Sequence, residues 1–98
     1  MASVRTKEEM HSRDVHITNA LGLHAKASAA FVRLANQFRA SITVEVNGKG
    51  ANGKSIMGLL MLAASRGTRI RIVAQGEDAP EALDSLSRLV VDKFGEEE

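Results

Sequence analysis

The dipeptide Asn47-Gly48 constrains this chain more than any other short feature. It directly follows Ile42, Val44 and Val46, which alternate with Thr43 and Glu45 as a half-buried strand does. Asparagine and glycine both tolerate positive φ, as a two-residue hairpin turn requires. The chain therefore turns back on itself here, and its sheet contains an antiparallel pair. The returning strand, around Lys49 to Asn52, is glycine-rich and weakly patterned.

The remaining periodicities extend this start. Val15 and Ile17 alternate with His16 and Thr18, a short strand followed by a loop, Asn19 to Leu23, that Gly22 closes. From Ala25 the period changes to that of a helix. Ala27, Phe31, Leu34, Ala35 and Phe38 fall on one side, and Lys26, Arg33, Asn36 and Arg39 largely on the other. Ser55 caps a second helix, Ile56 to Ser65, ending near Gly67; Ile70 and Ile72 alternate with arginines in a fourth strand. A third helix opens on Asp78-Ala79-Pro80-Glu81, where a capping residue, a first-turn proline and a glutamate coincide. Its apolar face is Ala82, Leu83, Leu86, Leu89, Val90 and Phe94, and Gly95 ends it. The order β-α-β-β-α-β-α predicts an α/β (α+β) fold: an open-faced β-sandwich whose four-stranded antiparallel sheet is covered on one face by three helices. One domain spans residues 14–95, between a polar flexible tail (1–13) and an acidic end, Glu96 to Glu98, expected to fray.

Composition removes several function classes. Thirteen basic and twelve acidic residues leave a formal charge of +1, and the three aromatics are all phenylalanine. Neither phosphate neutralisation nor base stacking is provided for, so nucleic acid is not the partner. No apolar run approaches the ~20 residues of a membrane span. The absence of cysteine excludes disulfides and thiolate metal sites, and with no apolar stretch at the N-terminus it points to a cytoplasmic protein.

Two helix starts carry the chemistry. The first N–H groups of a helix lack intrahelical partners and the macrodipole favours an anion there. Gly22-Leu23-His24-Ala25-Lys26-Ala27 puts a histidine at one such place, and Lys54-Ser55-Ile56-Met57-Gly58 puts a serine at another. The positive field at His24 favours the unprotonated ring, which is the nucleophile. Both segments, in this order and spacing, resemble the HPr family, the histidine phosphocarriers of the bacterial phosphotransferase system, from about Val15 to Phe94. The resemblance implies the same sandwich fold, and a phosphoryl group accepted by His24 from Enzyme I and passed to IIA domains, with Nδ1 as the modified nitrogen. It implies regulation at Ser55 by an HPr kinase/phosphorylase, and docking of partners on Ile56, Met57 and Leu60. Arg33 adds charge at that rim. Such a carrier needs neither cofactor nor metal, and acts as a monomer.

Two residues depart from the family pattern. Lys26 stands where arginine is usual, keeping charge but losing the planar fork that grips a phosphoryl group. Ala27 stands where proline is usual, restoring an N–H in the first helical turn. These departures admit an alternative: a regulatory binding module controlled through Ser55, with little or no transfer at His24. The helix after Ser55 is also too apolar for one buried face, so part of it forms a contact surface.

Other patterns compete less well. Gly48 to Ser55 satisfies the G-x-x-x-x-G-K-[ST] nucleotide-binding pattern. A nucleotide-binding domain needs a parallel sheet, however, and Asn47-Gly48 demands a hairpin. Ser28, four residues after His24, makes a Ser–His dyad conceivable, but no acid or oxyanion motif accompanies it. His11, His16 and His24 lack recognisable metal-ligand spacing.

Overall fold

The structure, a computed structural model, describes residues 10–98. The strands are β1 (Met10–His16), β2 (Ser41–Val46), β3 (Lys49–Asn52) and β4 (Arg69–Gln75); the helices are α1 (Ala25–Ala35), α2 (Ile56–Leu62) and α3 (Ala79–Val91). A short 3₁₀ turn, Lys93–Gly95, follows α3. The sheet order is β1-β4-β2-β3 and every pairing is antiparallel. The expected open-faced sandwich is thus the observed fold. Asn47 and Gly48 adopt φ of 50° and 85°, the doubly positive turn their types predict.

Alternation decides which sheet face is covered. Val15, Ile42, Val44, Val46, Ile70, Ile72 and Ala74 are buried, together with Ala27, Phe31 and Ala35 of α1, Leu59 of α2, and Ala82, Leu83, Leu86 and Val90 of α3. The other face is polar: Arg71 donates to both carboxylate oxygens of Asp14 across β1 and β4.

The structure corrects several boundaries. The first strand begins at Met10, so residues 10–13 are not tail; the rest of the expected tail lies outside the described residues. Its outer half has no apolar alternation, because β1 is an edge strand whose Arg13 pairs with Asp84 of α3 at 2.9 Å. Helix α1 ends at Ala35 in place of Phe38, and Gln37 and Phe38 form tight turns onto Leu34 and Ala35. Helix α2 stops at Leu62 because Ala63 turns left-handed (φ 52°). Asp78 is the N-cap residue of α3, its carbonyl accepting Ala82 N–H at 3.0 Å, but its side chain makes no capping bond. Its carboxylate instead accepts the N–H groups of Arg39 (2.9 Å) and Ala40 (2.8 Å). The bond from Arg39, aided by that from Ala40, holds its carboxyl below the ordinary aspartate range despite partial burial.

Candidate functional site

The loop between β1 and α1 is tied at three points. Ile17 N–H donates to Thr68 O, Gly67 N–H to Ile17 O, and Leu23 N–H to Ala64 O. Gly22 (φ +68°) packs so closely on the chain after α2 that a Cβ would lie 2.4 Å from Ala64 O. That fixes where Leu23 leaves the loop, and Leu23 is itself buried. His24 follows in extended conformation as the N-cap of α1, with its carbonyl accepting the first helical bond from Ser28 N–H at 2.8 Å.

Both imidazole nitrogens are engaged. Nδ1 accepts the Lys26 backbone N–H at 3.3 Å, so it points at the orphan donors of the helix start. Nε2 lies 2.6 Å from Oε2 of Glu96. The other Glu96 oxygen accepts from Asn19 Nδ2 at 3.0 Å, and the same nitrogen donates to Gly22 O at 2.8 Å. Burial opposes ionisation of Glu96, but the bonds from Asn19 and His24, with the charges of His24 and Lys26, outweigh it and lower its carboxyl below the ordinary 4.5. The acidic end, expected to fray, therefore closes onto the site at Glu96, and Glu98 O accepts from Ala20 N–H at 2.7 Å. No local pattern announces this, because the partners are 72 residues apart.

The other singled-out residues separate cleanly. Lys26 is exposed in the first turn of α1, in a shallow depression shared with Leu21 and Gly95 to Glu98. Arg33 is exposed on the same face, roughly 10 Å further along the helix. Ser28 is fully buried and its hydroxyl donates to Leu23 O at 3.2 Å, which removes the Ser–His dyad. His11 and His16 sit on opposite faces of β1, about 16 Å apart, and share no site.

Ser55 caps α2 through Oγ, which accepts Gly58 N–H at 3.0 Å. The nucleotide-binding lookalike fails on two counts. Its segment from Gly48 to Asn52 forms the turn and returning strand of the antiparallel β2–β3 hairpin, and Lys54 Nζ donates to Phe38 O at 2.7 Å. Helices α1 and α2 run antiparallel: the exit of α2 meets the loop before His24, and Lys54 at its entry meets the chain beyond α1. On α2, Leu59 is buried, Leu60 half-buried, and Ile56, Met57 and Met61 are exposed. Sequence reasoning named Ile56, Met57 and Leu60. It missed Met61, which the i, i+4 relation to Met57 signals, and Leu21, an exposed apolar residue in the loop before His24. Among the described residues, no helix is long and apolar enough to cross a membrane.

Comparison with known proteins places this geometry. The family description "PTS HPr component phosphorylation site" matches residues 11–92. The phosphocarrier protein HPr of Neisseria meningitidis serogroup A is 46% identical over 89 residues, covering 91% of this chain and all of that protein. The HPr-like protein Crh of Bacillus subtilis is 44% identical, covering 83% of this chain and 95% of its own. Among solved structures, HPr-C-His from Thermoanaerobacter tengcongensis superposes with a TM-score of 0.86 at 41% identity, covering 90% of this chain and 99% of that one. With a family match across most of its length and relatives above 40% identity, the chain belongs to the HPr family, the phosphocarriers of the phosphotransferase system.

Proposed function

We propose that this protein is a cytoplasmic, monomeric carrier that accepts a phosphoryl group on Nδ1 of His24 from Enzyme I and delivers it to IIA-type domains. The observation that carries this is Nδ1 aimed at the start of α1, 3.3 Å from the Lys26 N–H. In transfer, the Nδ1 lone pair forms the N–P bond while the bond to the donor breaks, its electron pair leaving on the donor. The phosphoryl oxygens then take the helix-start N–H groups, and Lys26 adds a point charge. Delivery reverses these steps on the acceptor. Ile56, Met57 and Leu60, with Arg33, supply the docking surface; a flexible methionine repacks readily against more than one partner.

Incubation with phosphoenolpyruvate and Enzyme I tests this. Wild type and Ser55→Ala should gain an acid-labile, alkali-stable phosphate and His24→Ala none. Absence of labelling by an Enzyme I that labels its own carrier would contradict the proposal.

A second reading is favoured by the Ser55 cap beside exposed Ile56 and Met57, and by the likeness to Crh. Phosphorylation of Ser55 by an HPr kinase/phosphorylase would add about −1.5 to −2 charges beside that apolar surface, repelling acidic partners. Incorporation of acid-stable phosphate that Ser55→Ala abolishes would support it. Binding of partners that stays the same with and without that phosphate would contradict it.

A further inference from the structure

We propose that Ser28 is a positioning residue for His24: its buried hydroxyl grips the Leu23 carbonyl and so sets the backbone from which the imidazole reaches the start of α1. The proposal rests on the carrier reading and deepens it. Ser28 is closed to solvent, so it acts through the backbone and not on the phosphoryl group.

A hydroxyl buried without a hydrogen bond is costly, so where this one bonds is informative. Ser28 lies in an alanine-rich stretch, Ala25-Lys26-Ala27-Ser28-Ala29-Ala30, at the head of α1. A helical serine ordinarily turns back to the carbonyl three or four residues earlier. Here the carbonyl four residues earlier, His24 O, already accepts the N–H of Ser28 at 2.8 Å. The hydroxyl reaches one residue further, past the helix start, and donates to Leu23 O at 3.2 Å.

Ser28 thus holds the two carbonyls on either side of the His24 Cα. Each belongs to a planar peptide unit, Leu23–His24 before it and His24–Ala25 after it. Holding both planes fixes the two soft backbone angles of His24, at φ −77° and ψ −178°. From that backbone the ring has only a few staggered positions, and the one adopted brings Nδ1 to 3.3 Å from the Lys26 N–H. The upstream side is closed independently, because Leu23 N–H donates to Ala64 O at 2.9 Å and the Leu23 side chain is buried. Ala27 brings no ring to stiffen this turn, so the helix is joined to the loop through the hydroxyl.

The consequence for transfer is geometric. The attacking nitrogen must meet phosphorus in line with the leaving oxygen, and a misplacement of about 1 Å can cost about a hundredfold in rate. The docking surface on α2 does not include Ser28. Loss of the hydroxyl therefore slows the transfer step without weakening binding.

The test is single-turnover transfer from phosphorylated Enzyme I at increasing carrier concentration, read alongside ¹⁵N NMR of the backbone and the His24 ring. The proteins are wild type, Ser28→Ala and the double variant Ala27→Pro/Ser28→Ala. In Ser28→Ala the Leu23 and His24 amides and the His24 ring nitrogens should shift, while the remaining amide spectrum shows an intact fold. Its maximal rate should fall about tenfold, and the concentration giving half that rate should stay within about twofold. A first-turn proline stiffens the turn by another route, so the double variant should recover most of the rate. Unchanged His24 signals and rate in Ser28→Ala would overturn the proposal, as would a loss confined to the half-saturating concentration. Should wild type take no label at all, the carrier reading fails, and the His24 signals of Ser28→Ala still decide whether Ser28 sets that backbone.

Discussion

His24 and Ser55 occupy the same local position, the N-cap of a helix, and each side chain accepts a backbone N–H from the turn that follows. Their surroundings differ. His24 heads an eleven-residue helix and is gripped on its far side by the carboxylate of Glu96, 72 residues away, which the buried Asn19 holds through its other oxygen. Ser55 heads a seven-residue helix that shows Ile56, Met57 and Met61 to solvent, and its capping bond is a local one. A cap alone is therefore a structural device. Held from both sides, the same device orients a reactive atom.

The largest effect expected from breaking this comparison comes from inside α2. Leu59→Ala should cost about 2–5 kcal/mol in denaturant unfolding, because Leu59 is fully buried. Met61→Ala, two residues on and 73% exposed, should change stability by under about 0.5 kcal/mol while weakening partner binding. Equal losses of stability would show that α2 is not divided into a core face and a docking face.

The next test strikes where the two regions touch. Gly22→Ala introduces a Cβ within 2.4 Å of Ala64 O at a positive φ, so the loop before His24 and the exit of α2 cannot keep their contact. A destabilisation of about 3 kcal/mol is expected, with the largest amide shifts at His24 and Ala64. Shifts confined to the loop would uncouple the two regions.

Ser55→Ala should cost only about 1 kcal/mol, the worth of an N-cap. Ser55→Asp, which keeps a capping oxygen, should recover most of it. The smallest effect is on acid stability. Because the Glu96 carboxyl is lowered on folding, its ionised form stabilises the fold fully above the ordinary value of 4.5, and this contribution is lost as pH falls through the lowered value. The stability difference between wild type and Glu96→Gln should therefore shrink between pH 6 and pH 3. A difference that grew on acidification would contradict the sign.

The reach of sequence reasoning follows the same division between local and distant. The strands with apolar alternation, the Asn47-Gly48 turn and both helix starts are written in neighbouring residues, so they were legible. The HPr resemblance extended that reading to fold and family. Met10 to Arg13 were missed as strand because an edge strand stabilised by pairing and by the Arg13–Asp84 bridge needs no alternating pattern. Asp78 takes the N-cap position expected of it, but the role of its side chain was missed because the carboxylate satisfies the backbone of Arg39 and Ala40, almost forty residues away. Glu96 was taken as part of a solvated acidic end for the same reason. A run of glutamates looks alike whether it frays or folds back, and only the tertiary path through Phe94 and Asn19 decides.

The most direct test of the whole account is ³¹P and ¹⁵N NMR of the ¹⁵N-histidine-labelled protein after phosphorylation by phosphoenolpyruvate and Enzyme I. The account predicts phosphorus coupled to Nδ1 of His24, with the proton still on Nε2. Phosphorus on Nε2, or on any residue other than His24, would contradict it.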